Sequence, residues 1–396
     1  MFGIGERSID TSCLLSIGTH VASVARDIPR SRKPRELLPT ATPLRLLEAD
    51  SQVVRPSDLE MPGDDVLLAL HSKMVLARRF DTQATALTRQ GRLAVYPSAR
   101  GQEAGEVGAV LALRPQDWLF PTYRDSMAIV CRGVDPVEVL SLLRGDWHCG
   151  YDPYECRVAP QCTPLATNAP HAVGLAHAAR LKGEDTVALV MLGDGATSEG
   201  DTHAALNFAA VWQAPVVFFV QNNGYAISVP LSKQSAAPSL AHKGIGYGVP
   251  AMLVDGNDAA AVYAAVRRAV AYAAAGGGPT LIEALTYRIE AHTNADDATR
   301  YRGQDEVDRW LARDPLTRIR QHLLARGLLD EPAVAALDAE AEAEVAALRQ
   351  RVNTDSVHDP ADLFRHVYAE PTPALRRQHQ ELFAELAAED DPEVSR

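Results

Sequence analysis

Long hydrophobic runs are missing from this chain of 396 residues. Its apolar stretches, such as Val187–Leu192 and Val216–Val220, fall far short of the ~20 residues that a membrane-spanning helix needs. Basic residues are in the minority, since 39 Lys and Arg face 51 Asp and Glu and give a formal net charge of −12. A surface of this sign repels phosphate backbones. We therefore expect neither a membrane span nor binding to nucleic acid.

Cysteine is also scarce, with five residues in the whole chain. An odd number of cysteines in a long chain argues against a secreted disulfide framework and favours a reducing compartment. Cys149, Cys156 and Cys162 follow His148, but no pair has the CxxC spacing that is typical of zinc sites. The sequence favours packed or surface thiols here and leaves the function of the three cysteines open.

The first 63 residues show no sustained hydrophobic period, and we expect an N-terminal arm that is partly disordered, with order beginning near Asp64. The arm lacks the pattern of a secretory signal peptide. A cytoplasmic location is favoured. The basic cluster Arg26, Arg30, Arg32 and Arg35 leaves a mitochondrial presequence, and hence the matrix, as the alternative.

Helical and strand patterns alternate beyond Asp64. Helices are predicted from Asp64 to near Gly91, over Glu103–Leu113 and over Asp135–Leu143, and a capping box of Ser198 and Asp201 predicts another that ends near Trp212. Buried strands are predicted at Val187–Leu192, Val216–Val220, Met252–Val254 and Thr280–Tyr287, with an Asp258-capped helix before the last and a polar loop over 289–304. This order predicts an α/β fold with a doubly wound, mainly parallel sheet over residues 64–330, and helical flanks that include 331–396.

Two polar residues stand at the carboxyl ends of successive predicted strands. Asp194 lies between Gly193 and Gly195 after the first strand, and Asn223 follows the next. Ligands of open parallel sheets bind beyond these strand ends, and Mg²⁺ takes carboxylate and amide oxygens together with phosphate oxygens. The pair predicts a Mg²⁺ site that holds a diphosphate.

Two other ligand classes fit less well. A dinucleotide fingerprint needs GxGxxG, but Ser198 stands at the third glycine, so a nicotinamide-dependent oxidoreductase remains only as an alternative from a different class. A GxxxxGK[ST] phosphate loop is absent from the sequence. A non-catalytic assembly subunit is a further alternative, although a scaffold has no need of the Asp194 and Asn223 pair.

The string Gly193-Asp194-Gly195, 26 residues, then Asn222-Asn223 resembles the thiamin diphosphate motif of the transketolase-like superfamily. With the longer strings GDGATSEGD and NNGYAIS, the chain looks like the alpha subunit of the decarboxylating component of 2-oxoacid dehydrogenase complexes. The resemblance covers roughly residues 65–325. It implies the thiamin diphosphate-binding fold, the cofactors thiamin diphosphate and Mg²⁺, and oxidative decarboxylation of a 2-oxoacid with acyl transfer to a lipoyl group.

The resemblance also implies roles for individual residues. Mg²⁺ is expected on the side chains of Asp194 and Asn223 and on the backbone carbonyl of Tyr225. Catalytic roles are expected for His292 and Arg288. The cofactor-binding set is expected to comprise Tyr123, Arg124, Leu165, Gly193, Asp194, Gly195, Ala196, Asn223, Tyr225 and His292.

Departures from the family pattern limit what is carried over. Gln221 stands where branched-chain enzymes usually have arginine, and Cys162 replaces a common serine, so potassium binding is not predicted. The loop after His292 lacks the serine that animal enzymes phosphorylate, and kinase control is not predicted either. The segments Thr163–Thr167 and Asn223–Ala226 favour a branched-chain substrate, whereas Gln221 favours pyruvate; an acetoin dehydrogenase alpha subunit also fits the motif.

Related enzymes that work alone hold the cofactor between two α/β domains, but only one such unit is recognisable in this sequence. The resemblance therefore implies a separate beta subunit in an α₂β₂ heterotetramer. It also implies contact with the lipoyl domain of the dihydrolipoyl acyltransferase core.

Overall fold

The computed structural model describes residues 37–55, 57–146, 149–353 and 359–389. Their contacts divide the chain into two units, one ending at residue 349 and the other beginning at 350. The predicted domain bounds at 63 and 330 stay predictions. The basic cluster of the arm and His148 lie outside the described residues.

A five-stranded parallel sheet forms the centre of the first unit. Its strands are β1 (Trp118–Phe120), β2 (Ala188–Gly193), β3 (Val216–Asn222), β6 (Ala251–Asp255) and β7 (Thr280–Leu285), in the spatial order β1-β2-β3-β7-β6. A short antiparallel pair, β4 (Tyr225–Ala226) and β5 (Val229–Pro230), follows β3. The register pairs Gly193 with Gln221 and Asn222 with Leu285, so the carboxyl ends of β2, β3 and β7 meet at one edge.

Helices surround this sheet. Those of the first unit are α1 (Asp64–Arg89), α2 (Glu103–Leu111), α3 (Ser126–Cys131), α4 (Pro136–Arg144), α5 (Pro153–Cys156), α6 (Asn168–Lys182), α7 (Gly200–Trp212), α8 (Lys243–Tyr247), α9 (Ala259–Tyr272), α10 (Gln304–Leu311), α11 (Pro315–Ala325) and α12 (Glu331–Val352), the last of which runs three residues past the division. None of the described helices combines the length and apolarity that crossing a bilayer requires.

The strand order explains why helices cover both faces. The chain moves in one direction through β1, β2 and β3 and in the other from β6 to β7, and right-handed crossovers then place α6 and α7 opposite α9. Alternate strand residues obey this division: Val190 and Phe218 belong to the core that includes α6 and α7, whereas Phe219 faces Gly105 of α2. The predicted doubly wound, mainly parallel α/β fold is confirmed.

Most predicted elements are present, and the Asp258 cap is confirmed by a hydrogen bond from the amide of Ala261. The capping box is wrong. Residues Gly195–Ser198 form a 3₁₀ turn, and α7 begins after Glu199 without a side-chain cap. The Asp194 carbonyl accepts the amide of Thr197 at 3.1 Å, so the turn starts at the strand tip and takes up the residues that would have capped the helix.

Order begins earlier than Asp64. In the segment 37–55, Leu44 bridges to Val254 at the open edge of β6, and the amides of Leu46 and Leu47 donate to the Asp258 carboxylate at 2.7 Å. Leu47 is buried. The expectation of order only from Asp64 is therefore wrong for this segment, which protects an edge strand.

The second unit, 350–389 in its described part, contains α13 (Asp362–Arg365) and α14 (Pro373–Glu389). In α14 the ring of His379 stacks on Phe383, and it meets Phe364 of α13 edge-on. The helical character predicted for this end of the chain is present in the described residues.

Candidate active site

A cavity of about 470 Å³ opens at the carboxyl ends of the parallel strands. Its lining includes every residue for which the sequence implied a role. These are Tyr123, Arg124, Leu165, Gly193, Asp194, Gly195, Ala196, Asn223, Tyr225, Arg288 and His292. The residues come from five separate segments, which the sheet gathers at one edge. Their placement agrees with a common site, and their individual roles stay predictions.

Asp194 lies at the tip of β2 and is 1% exposed. Its Oδ2 accepts a hydrogen bond of 2.7 Å from Nε2 of Gln234, a residue that the sequence analysis did not select. Burial raises the pKa of Asp194, although Gln234 and the positive charge of Arg288 oppose that rise. A cation bound beside this buried carboxylate would stabilise its ionised form.

The two glycines that flank Asp194 differ in their surroundings. A Cβ on Gly195 would lie 2.8 Å from Cβ of Ala226, so a side chain at this position collides with β4. A Cβ on Gly193 would meet nothing within 4 Å. Gly195 is therefore required for close packing of the protein itself, and Gly193 leaves open space beside the cavity.

Asn223 follows β3 and is 6% exposed. Its Oδ1 accepts the backbone amide of Tyr225 at 3.2 Å, and its Nδ2 donates to Oε1 of Gln102 at 3.0 Å. An amide oxygen has two lone pairs, so one remains for a ligand. The Tyr225 ring is anchored by its hydroxyl, which donates to Glu306 at 2.9 Å.

Two guanidinium groups approach one imidazole in the cavity wall. Nη2 of Arg124 lies 3.0 Å from Nδ1 of His292, and Nη1 of Arg288 lies 3.4 Å from the same nitrogen. Both arginines are buried. Arg124 also donates to the carbonyl of Ser98 at 2.7 Å, and Arg288 donates to the carbonyl of Ile227 at 2.7 Å.

This environment sets the protonation state of His292. Burial, followed by the positive charges of Arg124 and Arg288, lowers the pKa of His292 to about 4. The ring is neutral at pH 7, and since arginine can only donate, its Nδ1 acts as the acceptor. The proton then resides on Nε2, which gives the cavity a neutral hydrogen-bond donor.

Two less buried residues complete the predicted set. The Tyr123 ring meets the His292 ring edge-on, with 6.1 Å between the two centroids. The Arg124 guanidinium lies 5.6 Å from the centroid of the Tyr123 ring. Leu165 is 41% exposed and follows the cavity wall, close to Gly195. An exposed leucine at a cavity mouth offers apolar surface to a ligand.

The turn between β4 and β5 holds an unusual backbone. Ile227 has φ of 55°, in the left-handed region that β-branched residues seldom adopt, and its side chain is 54% exposed. Its carbonyl is the acceptor for Arg288. The conformation therefore coincides with a contact to a cavity residue, as strained positions at functional sites often do.

Thiols and imidazoles form no metal-binding cluster in the part of the chain that the structure describes. No group of three His, Cys, Asp or Glu residues there could hold a metal ion. Cys131, Cys149, Cys156 and Cys162 are free, and burial raises the pKa of each thiol. The predicted Mg²⁺ set contains a single residue of these four types, Asp194, so that prediction is untouched by this result.

Sequence reasoning missed Gln102 and Gln234, which contact the predicted metal ligands directly. Gln102 lies 121 residues before its partner Asn223, and Gln234 lies 40 residues after Asp194. No local pattern marks a glutamine for contact over such separations. The motif Gly-Asp-Gly…Asn-Asn marked the predicted ligands but not the side chains that hydrogen-bond to them.

Comparison with known proteins identifies close relatives. The family model described as "Dehydrogenase E1 component" matches residues 71–361. The chain is 47% identical over 364 residues to the 3-methyl-2-oxobutanoate dehydrogenase subunit alpha of Mycobacterium tuberculosis, which covers 91% of this chain and 99% of the relative. It is 39% identical over 314 residues to the pyruvate dehydrogenase E1 component subunit alpha of Staphylococcus aureus, an alignment that covers 79% of this chain and 85% of the relative. It is 37% identical over 339 residues to the subunit of the same name from Staphylococcus epidermidis, an alignment that covers 85% of this chain and 91% of the relative.

Proposed function

This chain belongs to the dehydrogenase E1 component family, and from that premise we propose that it is the alpha subunit of a thiamin diphosphate-dependent 2-oxoacid dehydrogenase. The observation that carries the proposal is the meeting of all eleven predicted residues around one cavity at the strand ends. The family match gives no support to the nicotinamide alternative.

The proposed substrate is a branched-chain 2-oxoacid. Support comes from the M. tuberculosis relative, which is named for 3-methyl-2-oxobutanoate and is similar over almost its full length. The relatives named for pyruvate are less similar, at 39% and 37% identity. Pyruvate and acetoin remain the substrates against which the proposal is to be measured.

The donor set at the strand tips fits Mg²⁺. A buried carboxylate on Asp194 and an amide oxygen on Asn223 with a free lone pair are hard oxygen ligands, and the Tyr225 carbonyl is the proposed third. Magnesium usually completes about six ligands with phosphate oxygens and water. Arg124 is the proposed charged donor to the diphosphate, and the open space beside Gly193 leaves room for that group.

When bound, thiamin diphosphate would supply a nucleophilic carbon and an electron sink for the decarboxylation of a 2-oxoacid. The chain's own residues bind, orient and hold protons. His292, neutral with its proton on Nε2, donates a hydrogen bond toward the reacting oxygen or the carboxylate of the substrate. Arg124 and Arg288 fix the ring and supply positive charge beside an anionic substrate.

The partners follow from the same proposal. A beta subunit would supply the other half of the cofactor site in an α₂β₂ heterotetramer, and the acyl group would pass to the lipoyl domain of the acyltransferase core. A cytoplasmic location, with the mitochondrial matrix as alternative, stays a prediction.

The test is co-expression with the beta subunit, followed by assays of artificial electron-acceptor reduction with 3-methyl-2-oxobutanoate, pyruvate or acetoin as the substrate. We expect the highest kcat/KM for 3-methyl-2-oxobutanoate. Asp194→Ala should abolish Mg²⁺-dependent retention of thiamin diphosphate, measured by gel filtration and by the fluorescence of the retained cofactor after its oxidation to the thiochrome form. Asp185→Ala is the matched control, since Asp185 lies before β2, at the end opposite Asp194, and is exposed. Retention by the Asp194 variant would contradict the proposed site.

A further inference from the structure

A chain of buried hydrogen bonds runs from Asn223 along the wall of the cavity to Asp125. Nδ2 of Asn223 donates to Oε1 of Gln102 at 3.0 Å, and Nε2 of Gln102 donates to Oε1 of Gln221 at 3.2 Å. Nε2 of Gln221 then donates to Oδ1 of Asp125 at 2.6 Å. We call Asn223, Gln102, Gln221 and Asp125 the amide relay. It joins the tip of β3 to the start of α2 and to the loop after β1.

The relay has one polarity, which the amide of Tyr225 favours at the Asn223 end and Asp125 fixes at the far end. Each primary amide can turn over and exchange its oxygen and nitrogen, but Asp125 cannot become a donor while it is ionised. Oδ2 of Asp125 accepts the backbone amide and the hydroxyl of Thr122, at 2.7 and 2.6 Å. Burial raises the pKa of Asp125, but these bonds, the bond from Gln221 and the charge of Arg124 favour its ionised form.

Burial leaves the relay members few other partners. Gln102 is 1% exposed, Gln221 3% and Asp125 0%. A buried amide group without a hydrogen-bond partner destabilises the folded protein by about 1–3 kcal/mol. Each donor in the relay must therefore face an acceptor. Gln102 stands at the position before α2 but makes no capping bond, because its side chain is committed to the relay.

We propose that Gln102, Gln221 and Asp125 are positioning residues that keep the amide oxygen of Asn223, rather than its NH₂ group, toward the bound divalent cation. The inference rests on the proposed Mg²⁺–diphosphate site and adds what orients one of its ligands. An asparagine turned the other way would present its NH₂ group to the cation, and the cation would lose an oxygen ligand.

Asp125→Asn tests the polarity. The backbone amide of Thr122 can only donate, so the asparagine introduced by this substitution must turn its oxygen to Thr122 and its NH₂ to Gln221. Gln221 and Gln102 then turn over in sequence, and Asn223 is driven to offer its oxygen to Gln102, at the expense of the bond that this oxygen accepts from the amide of Tyr225. The affinity for Mn²⁺ in the presence of thiamin diphosphate should fall about 10- to 100-fold, as loss of residues behind metal ligands typically does.

Gln102→Glu in the Asp125→Asn background should restore the affinity. A carboxylate at 102 accepts from Asn223 on one oxygen and from the reversed Gln221 on the other, and Asn223 regains its original orientation. The single variant Gln102→Glu measures any gain from the added charge alone, so recovery is read as the coupling in a double-mutant cycle.

The measurement is Mn²⁺ binding by electron paramagnetic resonance on the full chain co-purified with its beta subunit, and no turnover is needed. Asp258→Asn, a buried carboxylate away from the cavity, is the control for lost stability and should bind Mn²⁺ normally. Wild-type affinity in Asp125→Asn, an equal loss in Asp258→Asn, or no recovery in the double variant would overturn the relay. If the wild-type protein itself fails to bind Mn²⁺ with thiamin diphosphate, the proposed function fails instead.

Discussion

Adding one methyl group at Gly195 tests directly how closely this residue packs against β4 in the cavity wall. In Gly195→Ala the new Cβ would lie 2.8 Å from Cβ of Ala226 and 3.5 Å from its Cα. Carbon atoms rest about 3.5–4.0 Å apart, so β4 must move by about 0.7 Å or more. Overpacking of this kind destabilises proteins by about 1–3 kcal/mol.

The same displacement reaches the proposed metal ligands. Tyr225 adjoins Ala226 in β4, and its backbone amide is the donor to Oδ1 of Asn223. We therefore expect Gly195→Ala to lose both stability and affinity for thiamin diphosphate. Thermal unfolding should show a lower Tm, by up to about 2–4 °C for each kcal/mol lost. Isothermal titration with thiamin diphosphate and Mg²⁺ measures the second effect.

Gly193→Ala separates the two effects. Its Cβ meets nothing within 4 Å and its φ is not positive, so the folded protein should be unchanged or up to about 1 kcal/mol more stable. The methyl group still enters the space beside the cavity, and cofactor affinity should fall. Equal Tm values for the two variants would refute the packing argument at Gly195.

Three further predictions concern groups on the cavity wall and beyond it. The pKa of His292 is about 4 in the folded chain against 6.5 unfolded, so the unfolded chain takes up this proton first as pH falls. Part of the free energy of unfolding at pH 7 should therefore be lost as the pH falls from about 6.5 to 4. Urea unfolding at pH 7 and pH 5 measures this loss, which should be smaller in His292→Asn. Arg124→Met should raise the pKa of His292, which NMR titration of labelled histidines will show, with His292→Asn to assign the signal; an unchanged pKa would contradict the assigned cause. Asp258→Asn should lower the free energy of unfolding by about 1–3 kcal/mol, because its two oxygens serve the amides of Leu46, Leu47 and Ala261 and an amide oxygen cannot serve all three. Wild-type stability in chemical denaturation would contradict this account.

The sheet could be predicted from the sequence because its central strands are buried on both faces. Runs such as Val216–Val220 are apolar at every position and end abruptly in polar residues, which marks both the strand and its tip. β1 was not predicted, since three residues carry no measurable period. The segment around Leu44 was missed for a similar reason: one bridge to an edge strand leaves no pattern.

In the candidate site too, residues that directly follow buried strands could be predicted, and contacts between distant segments could not. Asp194 and Asn223 follow strands, so the fold itself brings them to one edge. The 3₁₀ turn at Gly195–Ser198 replaced the predicted capping box because its hydrogen bonds depend on the carbonyl of Asp194 at the strand tip, whose geometry no local pattern contains. Gln102 contacts Asn223 across 121 residues, and such a contact follows from the packing of α2 on the sheet.

The left-handed turn at Ile227 implies a conflict between the stability of the chain and the position of a side chain in the cavity wall. Glycine there would relieve about 1–2 kcal/mol of backbone strain, which exceeds or matches its own entropic penalty of about 0.5–1 kcal/mol. An engineer who ranks substitutions by thermostability would thus be drawn to this position. Yet the rigid kink is what presents a carbonyl to Arg288. A variant stabilised in this way would therefore risk loosening the hydrogen bond between the carbonyl at position 227 and Arg288.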